Sequence, residues 1–248
     1  MANFQLSVSQ ILSYLPFFRM EIISKIFKFY IHINFHYLLS MGWIERPPLF
    51  FRWLTPGGLF RLPDRGKRKR VYLTFDDGPV PEVTPWVLDV LDRYGIKATF
   101  FMVGENAMRY PGLLKEVIAR GHAIGNHTHH HLAGQSVSCR RYLRDVAEAA
   151  GHLPTTLFRP PHGWLRPRQT LALRKRYRIV MYDLVTRDYS RRLNAGDVVR
   201  NVRKYARNGS VIVFHDSIKA FPRLEKALPE ALEWLLEEGY EFSIIQQK

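Results

Sequence analysis

Residues 71–79 read VYLTFDDGP, a β-rich apolar run that stops on two adjacent carboxylates, Asp76 and Asp77, followed by Gly78 and Pro79. Alternating bulky residues point to a strand, and Asp-Asp-Gly-Pro is also ordinary turn chemistry. What changes the reading is GNHTHHHL at residues 125–132, which sets His127 and His131 four residues apart after another short β-rich run. Two imidazoles and one carboxylate can hold a divalent cation and leave positions open for water, the ligand count of a hydrolytic zinc site. Only one Asp is needed as a ligand, so its neighbour is free to act as a base.

Outward from this pair, β-rich runs alternate with segments of helical period. The runs are 71–75, 98–103, 122–126, 157–159, 179–182, 211–214 and 240–245. Helical stretches are expected at 85–93, 112–120, 140–150, 167–177, 197–207 and 224–238, with start signals at Thr84-Pro85 and Pro111 and stops at Gly95, Gly121, Gly209 and Gly239. Such alternation predicts βα units around a mainly parallel sheet. The polar residues then fall on a pattern: Asp76 and Asp77 follow the first run, His127 and His131 the third, Arg159 the fourth, Asp183 and Asp188 the fifth, His215 and Asp216 the sixth. In a barrel of βα units these strand ends share one rim. Core packing gives no reason for such a choice.

The chain has 248 residues, 46% of them hydrophobic, enough for one large core and too apolar for a disordered protein. A single cysteine, Cys139, excludes an intrachain disulfide and reads as a lone thiol at a helix start. Formal net charge is +15, with fourteen Lys/Arg against three Asp from Arg159 to Arg207. That surface attracts polyanions such as an anionic lipid or an acidic cell-wall polymer. A nucleic-acid partner is not expected, because no reading module accompanies the charge. The dense run Arg65, Lys67, Arg68, Lys69, Arg70 reads as a solvated linker. The organisation expected is a hydrophobic helical extension at 1–45, a basic linker at 46–70 and one α/β domain at 71–248. Lys25, Lys28, His32, Asn34 and His36 interrupt the apolar bulk of residues 22–44, which suits an interfacial helix better than a span. No cleavable signal pattern is evident. Membrane association or the cell envelope is the location this implies; initiation at Met41 would leave a cytoplasmic chain as the alternative.

The strings TFDDGP, GNHTHHH, FRPPHG, YDLVTRDY and VIVFHDS occur in the order of five motifs of the polysaccharide deacetylase family, the NodB-homology or carbohydrate esterase 4 type, and residues 71–245 resemble it throughout. The resemblance implies a distorted (β/α) barrel of about seven parallel strands and a metal-dependent hydrolase of N-acetylated sugars. It makes Asp77, His127 and His131 the ligands of a divalent metal, with zinc first and cobalt, nickel or iron also accepted by such donors. Asp76 becomes the general base and Arg159 the cation that holds it. His215 becomes the general acid. Asp188 is the first choice for its carboxylate partner and Asp183 the second, since VTRDY departs from the family's DSxDW at Val185 and Tyr189. His162 replaces a usual Tyr, at a position whose backbone N–H faces the oxyanion.

Other residues near the motifs have weaker assignments. Thr128 is expected to orient a ligand or touch substrate, and Trp164 to stack on a sugar face or anchor a loop. Phe214 and Ile212 are expected to floor the acetyl pocket. His129 and His130 read as surface or supporting residues of the turn, and Asp216 as a cap or loop acceptor. The implied reaction is removal of an N-acetyl group from an N-acetylhexosamine of a chitin-like or peptidoglycan glycan. Alternatives are an O-acetyl ester or non-glycan amide as substrate, or a catalytically silent glycan binder.

Overall fold

The computed structural model describes residues 45–47, 55–63 and 68–248. The extension expected at 1–45 lies outside them except for its last residue. The strands are β1 (Lys69–Asp76), β2 (Thr99–Met102), β3 (Ala123–Asn126), β4 (Leu157–Phe158), β5 (Arg178–Ile179), β6 (Leu184–Val185), β7 (Val211–His215) and β8 (Tyr240–Phe242). The helices are α1 (Thr84–Arg93), α2 (Gly104–Arg109), α3 (Pro111–Ala119), α4 (Cys139–Ala149), α5 (Pro167–Leu173), α6 (Ala195–Tyr205) and α7 (Phe221–Glu237). A 3-10 turn spans Pro161–Gly163.

Seven strands follow one another in the order β5-β4-β3-β2-β1-β7-β6, and β8 pairs the start of β1. All pairs between these strands are parallel. This is the curled (β/α) barrel the sequence predicts, with two adjustments. The short β6 and helix α2 were not expected, and β8 stands off the path of seven strands.

Strand alternation sorts the side chains into two layers. Val71, Leu73 and Phe75 of β1 join Phe100, Ile212 and Phe214 in the cluster that packs against Val87, Leu88, Leu91, Leu224 and Leu228 of α1 and α7. Phe75 lies stacked 5.0 Å from Phe100 and 6.0 Å from Phe214. Burying each such side chain contributes about 1.5–3 kcal/mol. The other face of the same strands carries Tyr72, Phe101 and Val211, which pack with Leu157, Val180 and Ile245 inside the barrel. Thr74, Asp76 and His215 share this inward register.

Residues 55–63, within the basic linker expected at 46–70, pair with the sheet. Leu59 N donates to Ile179 O and Leu59 O accepts from Met181 N, both at 2.8 Å, while Leu62 N donates to Gly209 O at 2.8 Å. Glu45 O accepts from Val185 N at 2.8 Å. The two sheet edges, β5 and β6, are therefore each met by chain that precedes β1. Phe60 is buried beside Phe158 and Met181. Gly209, at φ +84, sits where a Cβ would lie 2.3 Å from Pro63 N, so only glycine lets this segment close in.

Candidate active site

Each strand end delivers its polar group for a local reason. Asp76 is the last inward residue of β1, and the next residue, Asp77, turns at φ +84, which frees its carboxylate from the strand. After β3, His127 N still donates to Met102 O at 2.9 Å, continuing the ladder, and the chain then bends through Thr128 (φ +65) and His131 (φ +53). Among the described residues, His162 (φ +60) and Arg187 (φ +63) complete the left-handed non-glycine set, all on the motif loops. Such residues cost of order 1–3 kcal/mol each and persist only where surrounding contacts over-determine them.

The bracing contacts are visible. Asn126 Oδ1 accepts from Thr128 N at 2.8 Å and its Nδ2 donates to Val146 O at 3.0 Å. Thr128 Oγ1 accepts from Leu132 N at 3.1 Å, across the turn that carries His131. Asn106 Nδ2 donates to Asp77 O at 2.9 Å. Thr128 is fully buried, so of its two expected roles the orienting one fits and substrate contact does not. Asn126, Asn106 and Thr74 had no signal in a single sequence, because each acts by a side chain bonded to a backbone or a group far along the chain.

His131 Nε2 lies 3.2 Å and His127 Nε2 3.8 Å from Asp77 Oδ1. His127 Nδ1 donates to Arg159 O at 2.8 Å, which leaves its Nε2 lone pair directed at the cluster. The three can each offer one ligand atom within 4.8 Å of the others, so the donor set and its tautomer fit a divalent cation. Burial depresses the His127 imidazolium to about 4, which keeps the ring neutral and ligating. Burial works to raise Asp77, but the hydrogen bond to His131 and the charges of His215 and His127 outweigh it and hold the carboxyl below its usual range.

Beside the triad, Arg159 Nη1 donates to Asp76 Oδ1 at 2.6 Å and to Thr74 Oγ1 at 2.7 Å, and Nη2 donates to Met181 O at 3.0 Å. Its guanidinium carbon stands 4.0 Å above the Phe101 ring. Arg159 and Asp76 side chains are 3% and 7% exposed, a buried pair that holds only because nearly every donor is satisfied. Opposite, His215 Nδ1 is 2.8 Å from Asp188 Oδ1 and His215 N donates to Asp188 Oδ2 at 2.7 Å. Burial disfavours the His215 cation, yet Asp188, with Asp77 and Asp76, pushes its pKa up to about 9. Asp183 is spoken for elsewhere, by Arg207 Nε at 2.9 Å and Ser210 Oγ at 2.8 Å. Asp216 accepts from Gly78 N at 3.1 Å and from Thr84 Oγ1 at 2.6 Å, the loop acceptor that was expected.

Phe214 is a correction. It occupies the face of β7 opposite His215, in the layer against the helices, and so cannot floor a pocket at the rim; Ile212 follows it. Near His215 the ring that does stand is Tyr189, with centroids 4.9 Å apart. The His162 ring packs edge-on against His131 at 4.9 Å, a contact the sequence did not reveal. Burial and the neighbouring His131 lower its pKa. Trp164 is half-buried just after the 3-10 turn.

The family model described as polysaccharide deacetylase matches residues 64–181. A peptidoglycan-N-acetylglucosamine deacetylase of Bacillus cereus is 32% identical over 204 residues, covering 78% of this chain and 94% of that protein. The chain belongs to the polysaccharide deacetylase family. Peptidoglycan-N-acetylglucosamine deacetylase PgdA of Listeria monocytogenes is 35% identical over 193 residues, which are 75% of this chain and 40% of the Listeria protein. The chain thus spans well under half of that relative. Among solved structures, the Bc1960 peptidoglycan N-acetylglucosamine deacetylase in complex with 4-naphthalen-1-yl-N-oxidanyl-benzamide superposes with a TM-score of 0.72 at 29% identity, covering 79% of this chain and 94% of that one.

Proposed function

We propose that this polysaccharide deacetylase hydrolyses the acetamide of an N-acetylhexosamine in a peptidoglycan or chitin-like glycan, releasing acetate and leaving a free amino sugar. The observation that carries the reading is the convergence on one rim of a His/His/Asp donor set, an arginine-held carboxylate and a carboxylate-held histidine. The names of the Bacillus and Listeria relatives support N-acetylglucosamine of peptidoglycan as the substrate class.

Asp77, His127 and His131 would hold a divalent cation, zinc in the first instance, whose Lewis acidity acts on the amide carbonyl and on water. Asp76 takes the proton of the attacking water. Arg159 holds Asp76 by the hydrogen bond to Oδ1 and fixes its rotamer, leaving Oδ2 to accept that proton. The backbone N–H of His162 would donate to the oxygen on which charge develops. His215, kept protonated near neutrality by Asp188, gives its proton to the departing nitrogen. Tyr189 packs against the His215 ring and limits its rotation.

Acetate release from acetylated chitooligomers and peptidoglycan fragments, with and without chelator, tests the reading. Release that chelator abolishes, zinc restores and His131→Ala lacks is the expected result. No release from any N-acetylated glycan by the zinc-loaded full chain would overturn it, as would release indifferent to chelator.

A further inference from the structure

On one five-residue turn, the outer and inner pairs of histidines go to different places. His127 and His131 meet Asp77, whereas His129 and His130 meet α4, where Asp145 and Glu148 project one helical turn apart. We propose that His129, His130 and Glu148 form a second divalent-cation site, which clamps the histidine turn to α4. This is independent of the reaction proposed above.

The geometry of the second group parallels that of the first. His129, His130 and Glu148 can each bring one ligand atom within 4.8 Å of the other two. His129 Nε2 stands 3.4 Å from Glu148 Oε1. That spacing is long for a charge-assisted hydrogen bond, for which about 2.7–2.9 Å is usual. It is the separation of two donors around one ion, since bonds of about 2.0–2.2 Å at tetrahedral angles set donors about 3.3–3.5 Å apart. His129 is buried, and among the described residues its Nδ1 has no hydrogen-bond partner. At Nε2 the ring has only the long approach of Glu148, and a cation shared between the two would engage that nitrogen directly.

His130 has the supporting shell of a metal ligand. Asp145 Oδ1 lies 2.6 Å from His130 Nδ1, and Asp145 Oδ2 accepts from His129 N at 2.8 Å and His130 N at 3.1 Å. One carboxylate therefore fixes the backbone of both histidines and assigns the proton to His130 Nδ1, which leaves Nε2 as donor. The His130 and Glu148 side chains are 51% and 49% exposed, so a cation can enter from solvent. Arg141 and Arg144 line the same pocket and oppose a cation; Asp145 and Glu148 supply the two compensating charges. Two imidazoles and a carboxylate select a first-row transition ion such as Zn²⁺ over Mg²⁺ or Ca²⁺.

Equilibrium dialysis of the full chain against Zn²⁺, with metal read by elemental analysis, tests the site. Two equivalents are expected in the wild type and one in each of His131→Ala, His130→Ala and Glu148→Gln. Asp145→Asn should weaken the second equivalent roughly 10–100-fold. In the His131→Ala background, Zn²⁺ should raise the melting midpoint, and adding Glu148→Gln should remove that rise. Since His130 and Glu148 are both half exposed, either variant alone decides if the other misfolds by circular dichroism. A single equivalent in the wild type, or a second equivalent retained in both His130→Ala and Glu148→Gln, would overturn the proposal.

Discussion

Asp76 and Asp77 are adjacent in sequence and opposite in surroundings. Asp76 is 7% exposed and paired to Arg159, whereas Asp77 is 28% exposed and faces His131 and His127. Asp76→Asn should therefore keep bound metal and lose turnover about a hundredfold or more, the usual worth of a general base. Metal content by elemental analysis, read beside acetate release, checks this; loss of metal would exchange the two roles. His215 carries a pH prediction. Its pKa, about 9 in the folded protein, lies above the free value of about 6.5. A raised histidine pKa contributes stability fully present below about 6.5 and lost as pH rises through about 9. Asp188→Asn removes the raising charge, so the alkaline limb of kcat/KM should move to lower pH, and the fall in stability over that window in chelator-treated protein should flatten. An unmoved limb would exclude His215 as the acid. At this scale the meeting of Asp77, His127 and His131, and the pairing of Asp76 with Arg159, were legible in the motifs. The Asp188 partner was one of two choices until Asp183 was found with Arg207, and Phe214 was misread because a motif position says nothing about which strand face it occupies.

At the scale of elements, the barrel interior holds Arg159 through its neighbours. Phe101 of β2 lies under the guanidinium, and on the next strand Gly125 leaves the space that Phe101 fills: a Cβ there would meet the ring at 2.4 Å. Gly125→Ala should force Phe101 toward Arg159 and loosen its contact with Asp76. Overpacking of this kind costs about 1–3 kcal/mol. A lowered melting midpoint together with reduced turnover at unchanged metal content is expected; wild-type turnover would show that Arg159 does not depend on the ring beneath it. The long periodic elements were legible, including β1, β7, α6 and α7. Two-residue β6 was not, since a run so short has no period, and the pairing of residues 55–63 was hidden because it is made by backbone groups with partners far along the chain.

At the scale of the whole molecule, chemistry and charge are separated. Every catalytic candidate lies after residue 70, so a chain lacking residues 1–40 should retain soluble acetate-releasing activity; an inactive or aggregated product would tie the extension to the barrel. Among the described residues no helix is long and apolar enough to cross a membrane. The basic face is the remaining feature. Arg174, Lys175 and Arg176 are exposed at the end of α5, ahead of β5, while the motif residues follow the strands at the other end. Arg178 differs from them, being half-buried with Nη1 donating to Gln246 O at 3.0 Å, and so belongs to the framework. Exposed charges act over about 10 Å at 0.1 M salt, enough to gather an anionic wall polymer or lipid surface but not to reach a reacting amide at the opposite rim. Replacing Arg174, Lys175 and Arg176 together with Gln should weaken association with anionic vesicles or teichoic-type polymer and reduce its salt dependence. Turnover of a short neutral oligosaccharide should stay near the wild-type value. A large fall in kcat on that substrate, with the fold intact by circular dichroism, would put these side chains behind the site and end the separation.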